Sequence, residues 1–178
     1  MELLDLTIAE LVRSNVDKRH PFKTMVLGTV EGSIPQLRTV VKRNFHKSKG
    51  ITFYTDSRSP KVAQIRQNPQ VSLLLYHPKK KLQVRISGEA HIASSESALH
   101  KSALQSIEQS RSRTDYMTVL PPGHVINDTE VTYGDHLSVA VIQVVLTKMD
   151  VLVLDRQGHQ RRAYSLESDQ WIETTLVP

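Results

Sequence analysis

The sequence predicts a mainly β fold, a barrel or strongly curled sheet with flanking helices. Two observations carry that expectation. Seven or eight short segments rich in β-branched and aromatic residues follow one another through connections mostly too short for parallel crossovers. Against them stand only two or three helical patterns, so the chain lacks the regular strand–helix alternation of a doubly wound fold. At 178 residues it is expected to form a single domain, 1–178, with room for a core.

Residues 3 to 14 are expected to form the first helix, because Leu4, Ile8, Leu11 and Val12 share one face. Residues 15 to 21 read as a loop. FKTMVLGTV then reads as a strand that turns at Glu31, Gly32 and Ser33. QLRTVVKRNF (36–45) and GITFYT (50–55) are the next two strands, joined by a basic loop. In SRSPKVAQIRQNP, Ser59 suits a helix cap, Pro60 suits the first helical position, and Pro69 ends the helix. VSLLLYH (71–77) and the alternating KLQVRISGEAHIA form a hairpin, with Leu82, Val84 and Ile86 on one face and Gln83, Arg85 and Ser87 on the other. A further helix is expected after Ser94 or Ser95. Residues 117 to 136, with Pro121, Pro122 and Gly123, make a connection long enough for a lid or a partner contact. The stretch HLSVAVIQVVLTKMDVLVLD is expected to give two strands broken between Thr147 and Asp150. HQRRAYSL and WIETTLV supply the last two, separated by residues 167 to 170.

Composition excludes several functions. There is no cysteine, hence no disulfide, thiolate nucleophile or cysteine metal site. The eight histidines show no helical H-x-x-x-H spacing, so no metal centre is expected. No G-x-S-x-G elbow and no glycine-rich nucleotide fingerprint occurs. A formal charge of +5, from 23 basic and 18 acidic residues, is too small and scattered to imply nucleic acid, but agrees with an anionic cofactor or substrate. No stretch reaches the roughly 18–20 apolar residues that span a bilayer, and the start is acidic rather than a secretory leader. A cytoplasmic protein is expected.

The stretch 36–61 concentrates Arg38, Lys42, Arg43 and Lys61 with the hydroxyls of Thr39, Tyr54, Thr55 and Ser59 where two strand ends meet a helix start. Such a convergence suits a phosphate; a solvated basic hairpin is the alternative. Gln83 with Arg85, and Arg161 with Arg162, are either surface residues or donors to a ligand.

In order along the chain, RTVVKR at 38–43 resembles an R-x-x-x-x-K/R strand, GITFYTDSRSPK at 50–61 a G-x-x-F-F/Y-T-N-x-x-S-R-K segment, LQVRISGEA at 82–90 an R-Q-V-x-x-x-G-x-A strand, and HQRRAY…W…LVP an H-D-R-F-x-Y…W…R-L-x-P end. Together they resemble the pyridoxamine 5′-phosphate oxidase superfamily of FMN-binding split β-barrels. The resemblance implies FMN as cofactor, with Arg38 and Lys61 on its phosphate, supported by Tyr54, Thr55 and Ser59. It implies that the backbone at Thr39, Val40, Val41 and Lys42 runs along the flavin, that Arg43 approaches the ring, and that Gln83 bonds the ring edge. Arg161 would reach FMN from the second subunit of a homodimer with sites at the interface. An oxidoreductase acting on a small molecule or an electron-transfer partner follows, with no catalytic side chain assigned; a non-catalytic FMN-binding or storage protein is the alternative. Pyridoxamine phosphate oxidation itself is disfavoured. Pro60 replaces a phosphate-binding arginine, leaving Arg58 as a substitute, while Lys101, Gln105, Gln109, Gln157 and Val151 replace other family residues and His159 alone remains. One conflict is internal: Arg38 and Lys42 share a strand face that Arg43 does not, so a bulge near Val41 or a register end at Lys42 is required for both arginines to face one ligand.

Overall fold

The structure, a computed structural model, describes residues 2–127 and 130–178. Eight antiparallel strands form one sheet: β1 (Thr24–Glu31), β2 (Ile34–His46), β3 (Gly50–Asp56), β4 (Gln70–His77), β5 (Leu82–Ile92), β6 (Val139–Val153), β7 (Gln160–Glu167) and β8 (Gln170–Leu176). Their order is β3-β2-β1-β4-β5-β6-β7-β8, and β3 also pairs with β6. That extra pairing closes the first six strands into a barrel, so β7 and β8 continue outward from β6. Closure removes the exposed edges of those six strands.

The barrel interior is filled by the alternate residues that the period-2 pattern marks. Leu82, Val84 and Ile86 are buried, with Leu73 and Leu75 from β4 and Val151 and Met149 from β6. At about 25 cal/mol per Å² of apolar surface, such side chains contribute roughly 1.5–3 kcal/mol each when fully buried. Helix α1 (Glu2–Val16) packs on this barrel. Its C-terminal end is fastened by Asn15, whose amide side chain accepts from the Phe45 N–H (2.8 Å) and donates to the Phe45 carbonyl (2.9 Å), as a strand residue would. Lys42 and Lys23 reach the same end: Lys42 Nζ donates to Asn15 Oδ1 at 2.7 Å, and Lys23 Nζ to the Asn15 carbonyl at 3.1 Å. Cations there also complement the helix dipole. A 3₁₀ turn at Pro21–Lys23 feeds β1, whereas a plain loop was expected through residue 21.

Two irregularities settle matters left open by the sequence. Between β2 and β3 the register passes from Lys42 opposite Phe53 to Asn44 opposite Thr52, which leaves Arg43 as the extra residue of a bulge. Between β5 and β6 it passes from Ser87 opposite Lys148 to Gly88 opposite Leu146, which leaves Thr147 unpaired. The expected break near Thr147 is therefore a bulge inside one 15-residue strand, not a boundary between two. Gly88 is required there, because a Cβ would collide with the Val145 carbonyl.

Helix α2 (Pro60–Gln67) begins on Pro60 as expected, but the Ser59 hydroxyl donates back to the Asp56 carbonyl (2.8 Å) and does not cap the helix. Helix α3 (Ala98–Glu108) starts later than expected. Ser97, rather than Ser94 or Ser95, caps it by accepting from the His100 N–H at 3.2 Å. A 3₁₀ turn (Arg113–Tyr116) opens the long connection, which is held by a bridge between Thr118 and Tyr133. Residues 128 and 129 of that connection lie outside the described residues. No helix among the described residues is long and apolar enough to cross a membrane.

Candidate functional site

The bulge at Arg43 gives β2 two outlets. Before it, even-numbered residues face inward: Lys42 is fully buried and fastened to α1. At the bulge the face changes, and Arg43 joins Arg38 on the wall of a cleft of about 390 Å³ at the ends of β2 and β3 and the start of α2. Thr39, Val40, Val41, Tyr54, Thr55 and Lys61 line the same cleft. The structure thus brings eight of the twelve expected cofactor-site residues together and resolves the parity conflict, with the bulge two residues beyond Val41.

Its electrostatics lean positive: Arg38, Arg43 and Lys61 line it with two carboxylates, Asp56 and Asp115, and Asp56 is paired with Arg58. Arg38 donates to Thr29 Oγ1 and, at 2.9 Å, to Gln64 Oε1, two neutral acceptors behind the wall. Lys61 Nζ donates to Thr55 Oγ1 at 3.0 Å. Arg43 donates to the Tyr116 hydroxyl at 3.3 Å and stands 5.3 Å from the Tyr54 ring centre, while its Nε is buried without a partner. Among the described residues none of these three cations lies within ion-pair distance of a carboxylate. Burial lowers the pKa of Arg38, and burial together with repulsion from Arg38 lowers that of Lys61. A site that keeps cations half-desolvated and close, with a donor N–H idle, fits an anionic ligand. A phosphorylated cofactor meets that requirement.

The remaining four residues lie elsewhere. Lys42 does not line the cleft: its ammonium points into the core, where burial lowers its pKa to about 8. Ser59 is buried behind Thr55, with the two hydroxyl oxygens 3.3 Å apart. Gln83 and Arg161 stand on the outer face of β5 to β7, where Gln83 and Arg161 both lie opposite Leu152. Arg161 makes two hydrogen bonds to Asp150, at 2.7 and 3.0 Å. Within one chain, neither residue lines the cation-lined cleft. Arg58 does not substitute for the residue replaced by Pro60: its guanidinium bonds Asp56 and the Thr118 and Val119 carbonyls instead.

The sequence did not single out Asp115, Tyr116 and Pro122, which line the cleft from the long connection, nor Thr29 and Gln64, which hold Arg38. Only a three-dimensional arrangement joins them, since no local spacing relates these segments.

The histidines hold a surprise away from the cleft. Glu10, His20 and His77 are buried together, their ligand-type atoms within 4.8 Å. The spacing suggests a cation, but the hydrogen bonds argue otherwise. His20 Nδ1 accepts from the Phe22 N–H (3.0 Å) and His77 Nδ1 from the Lys80 N–H (3.2 Å), so both rings carry their proton on Nε2 and direct it at Glu10 Oε2. Lys80 Nζ donates to the other carboxylate oxygen at 2.7 Å. Burial works to raise the Glu10 pKa, but the bonds from Lys80 and His20 outweigh it and hold the carboxyl below its usual range. This is a closed ionic cluster that ties α1 to β4.

Residues 5–94, half of the chain, match the family described as pyridoxamine 5′-phosphate oxidase, FMN-binding domain. The pyridoxine/pyridoxamine 5′-phosphate oxidase of Psychrobacter cryohalolentis is 33% identical over 87 residues, which cover 49% of this chain and 39% of that protein. That of Legionella pneumophila is 40% identical over 73 residues, covering 40% and 34%. The chain thus matches less than half the length of these curated relatives. Among solved structures, a pyridoxamine 5′-phosphate oxidase-related, FMN binding protein from Nostoc punctiforme superposes with a TM-score of 0.78 at 22% identity, covering 97% of this chain and 96% of that one. PhzG from Burkholderia lata, solved with tetrahydrophenazine-1-carboxylic acid, gives 0.71 at 18% identity, covering 98% and 92%. The fold is the split barrel that these proteins share, and the chain belongs to the pyridoxamine 5′-phosphate oxidase FMN-binding family.

Proposed function

We propose that this protein is an FMN-dependent oxidoreductase acting on a small molecule. The observation that carries the reading is the cleft in which Arg38, Arg43 and Lys61 converge with no carboxylate within ion-pair distance among the described residues, although Asp56 and Asp115 also line it. Arg38 and Lys61 hold the phosphate, supported by Thr55 and Tyr54, while Arg43 lies nearer the ring. FMN, when bound, supplies a group that exchanges a hydride with a substrate. The chain's own part is to orient that group, exclude water from its buried face, and place the Arg43 guanidinium where negative charge develops. No side chain is assigned as an acid or base.

A homodimer completes the site. Gln83 and Arg161 lie on an outer face that also exposes Leu37, Val41, Leu74 and Tyr76. Apolar exposure of that kind suits burial against a second copy. In such a pair each copy's Gln83 and Arg161 serve the other's cleft.

The test is titration of flavin-free protein with FMN and with riboflavin, followed by anaerobic reduction with NADPH and NADH and reoxidation by air or quinones. About one FMN per chain, bound more tightly than riboflavin, supports the cofactor site; turnover supports the enzyme. Protein that FMN does not saturate sinks the proposal, and a bound flavin that no donor reduces favours storage over catalysis.

A further inference from the structure

A second cavity, of about 520 Å³, is enclosed by the connection between α3 and β6. Asp115 and Pro122 line both this cavity and the cation-lined cleft, so the two spaces adjoin. Its walls mix apolar and polar groups: Leu120, Ile126 and Val131 line it with Pro121 and Pro122, beside Thr118, Asn127 and Thr132, and the first three are 44, 43 and 50% exposed. Its balance of charge differs in sign from the cleft's. Glu130 lines it together with Asp115, which the cleft shares, His124 is the one titratable base among the described lining residues, and no lysine or arginine is among them. Arg58 stands at the Thr118 wall, but its charge is matched by Asp56 at 2.7 Å. The same guanidinium donates to the Thr118 carbonyl (2.7 Å) and the Val119 carbonyl (2.9 Å), which fastens this wall to the turn that leads through Ser59 into α2, where Lys61 lies.

We propose that this cavity is the substrate pocket, and that it takes a small, largely apolar molecule that is uncharged or cationic and rejects anions. The inference rests on the FMN reading of the adjoining cleft. The volume lies in the range that encloses small-molecule ligands. The apolar wall residues supply affinity by surface burial, and the acidic lining sets the sign of charge admitted. Anionic groups are drawn to the cleft and repelled from the pocket, so one molecule with a phosphate and another without one occupy adjacent spaces without competing. Arg58 is a positioning residue: it holds the pocket wall in place and touches neither ligand.

The experiment uses the full chain, with and without FMN, and three bicyclic probes of similar size: N-methylquinolinium, quinoline at a pH where it is neutral, and naphthalene-2-sulfonate. Binding is read by calorimetry and, with FMN present, by flavin absorbance. The cation and the neutral probe are expected to bind at least tenfold more tightly than the sulfonate. Glu130→Lys is expected to narrow or invert that order, and Val131→Trp, which fills the pocket, to weaken quinoline at least tenfold with FMN affinity changed less than twofold. Equal binding of sulfonate and quinolinium, or a Val131→Trp protein that binds quinoline unchanged, overturns the proposal. So does a change of oligomeric state on Val131→Trp in light scattering, which assigns the apolar patch to a second copy. Probe binding with no FMN binding sinks the flavin reading alone.

Discussion

Two regions of this barrel gather charge, and they treat it in opposite ways. In one, Glu10 is surrounded by His20, His77 and Lys80, and the charges meet inside the chain. In the other, Arg38, Arg43 and Lys61 meet with no carboxylate within ion-pair distance among the described residues, and one N–H of Arg43 is idle. Both arrangements cost desolvation. The closed one recovers that cost within the folded chain and so acts as a fastening. The open one recovers it only when an anion arrives, which is the physical signature of a binding site rather than a structural cluster.

The comparison breaks most visibly at Glu10. Glu10→Ala leaves Lys80 and the His20 imidazole N–H without their acceptor and His77 without the nearby charge, so a loss of about 3 kcal/mol is expected. For a chain of this length that corresponds to roughly 6–12 °C in melting temperature by circular dichroism. A shift under 2 °C would mean that the cluster fastens nothing. FMN affinity of the folded protein should change less than threefold. Arg38→Ala should do the reverse: FMN weakened by about 10- to 100-fold, riboflavin by under threefold, and stability altered by about 1 kcal/mol at most. Equal losses for the two flavins would remove Arg38 from the phosphate. Lys61→Ala should show the same pattern at about tenfold.

The smallest effects separate the regions by pH. Burial, only partly opposed by Glu10, lowers the His77 pKa from 6.5. The unfolded chain therefore takes up the proton first, and stability falls as pH drops through 6.5. Glu10 is held below 4.5, so its contribution is full above 4.5 and is lost as pH falls through the lower folded value. Of the two regions the closed cluster is the acid-sensitive one, and Asp150, held low by its bond from Arg161, adds a contribution of the same sign. Alkaline behaviour belongs to buried cations. Lys42, at about 8 against 10.5, should make stability rise between those pH values, because there the unfolded chain binds the extra proton. Lys42→Met should flatten that rise in pH-dependent denaturant titrations; an unchanged slope would assign it to Lys61 instead.

Much of the barrel was legible because burial has a period. The alternation of Leu82, Val84 and Ile86 with Gln83, Arg85 and Ser87 is a local pattern, and the structure keeps it. So was the cleft wall: residues 38–61 are near neighbours in sequence, and the parity clash between Arg38 and Arg43 itself demanded a bulge near Val41 or a register end at Lys42, between which only the structure decides, with a bulge at Arg43. The bulge at Thr147 was misread as a strand end, because TKMD interrupts the apolar run whether or not the ladder continues. The Glu10 cluster was invisible, since its members come from α1, the turn before β1, the end of β4 and the turn that follows it, with no spacing to relate them. The placement of Gln83 away from the cleft was equally hidden, because strand alternation gives a face and no distance to the cleft, whereas for Arg161 a place outside its own chain's cleft was what the resemblance implied.

The bulge at Arg43 also predicts how this strand tolerates length changes. A strand with one surplus residue is in phase with two different partners, the core below Lys42 and the pairing from Asn44 onward. Substituting Arg43 alters one side chain. Deleting it restores a continuous ladder, and either Lys42 must leave α1 or Phe45 must turn out of the core. The position is therefore open to exchange of residue type but closed to loss. In a mutational scan, single-residue deletions at 42–44 should be depleted more strongly than any substitution of Arg43.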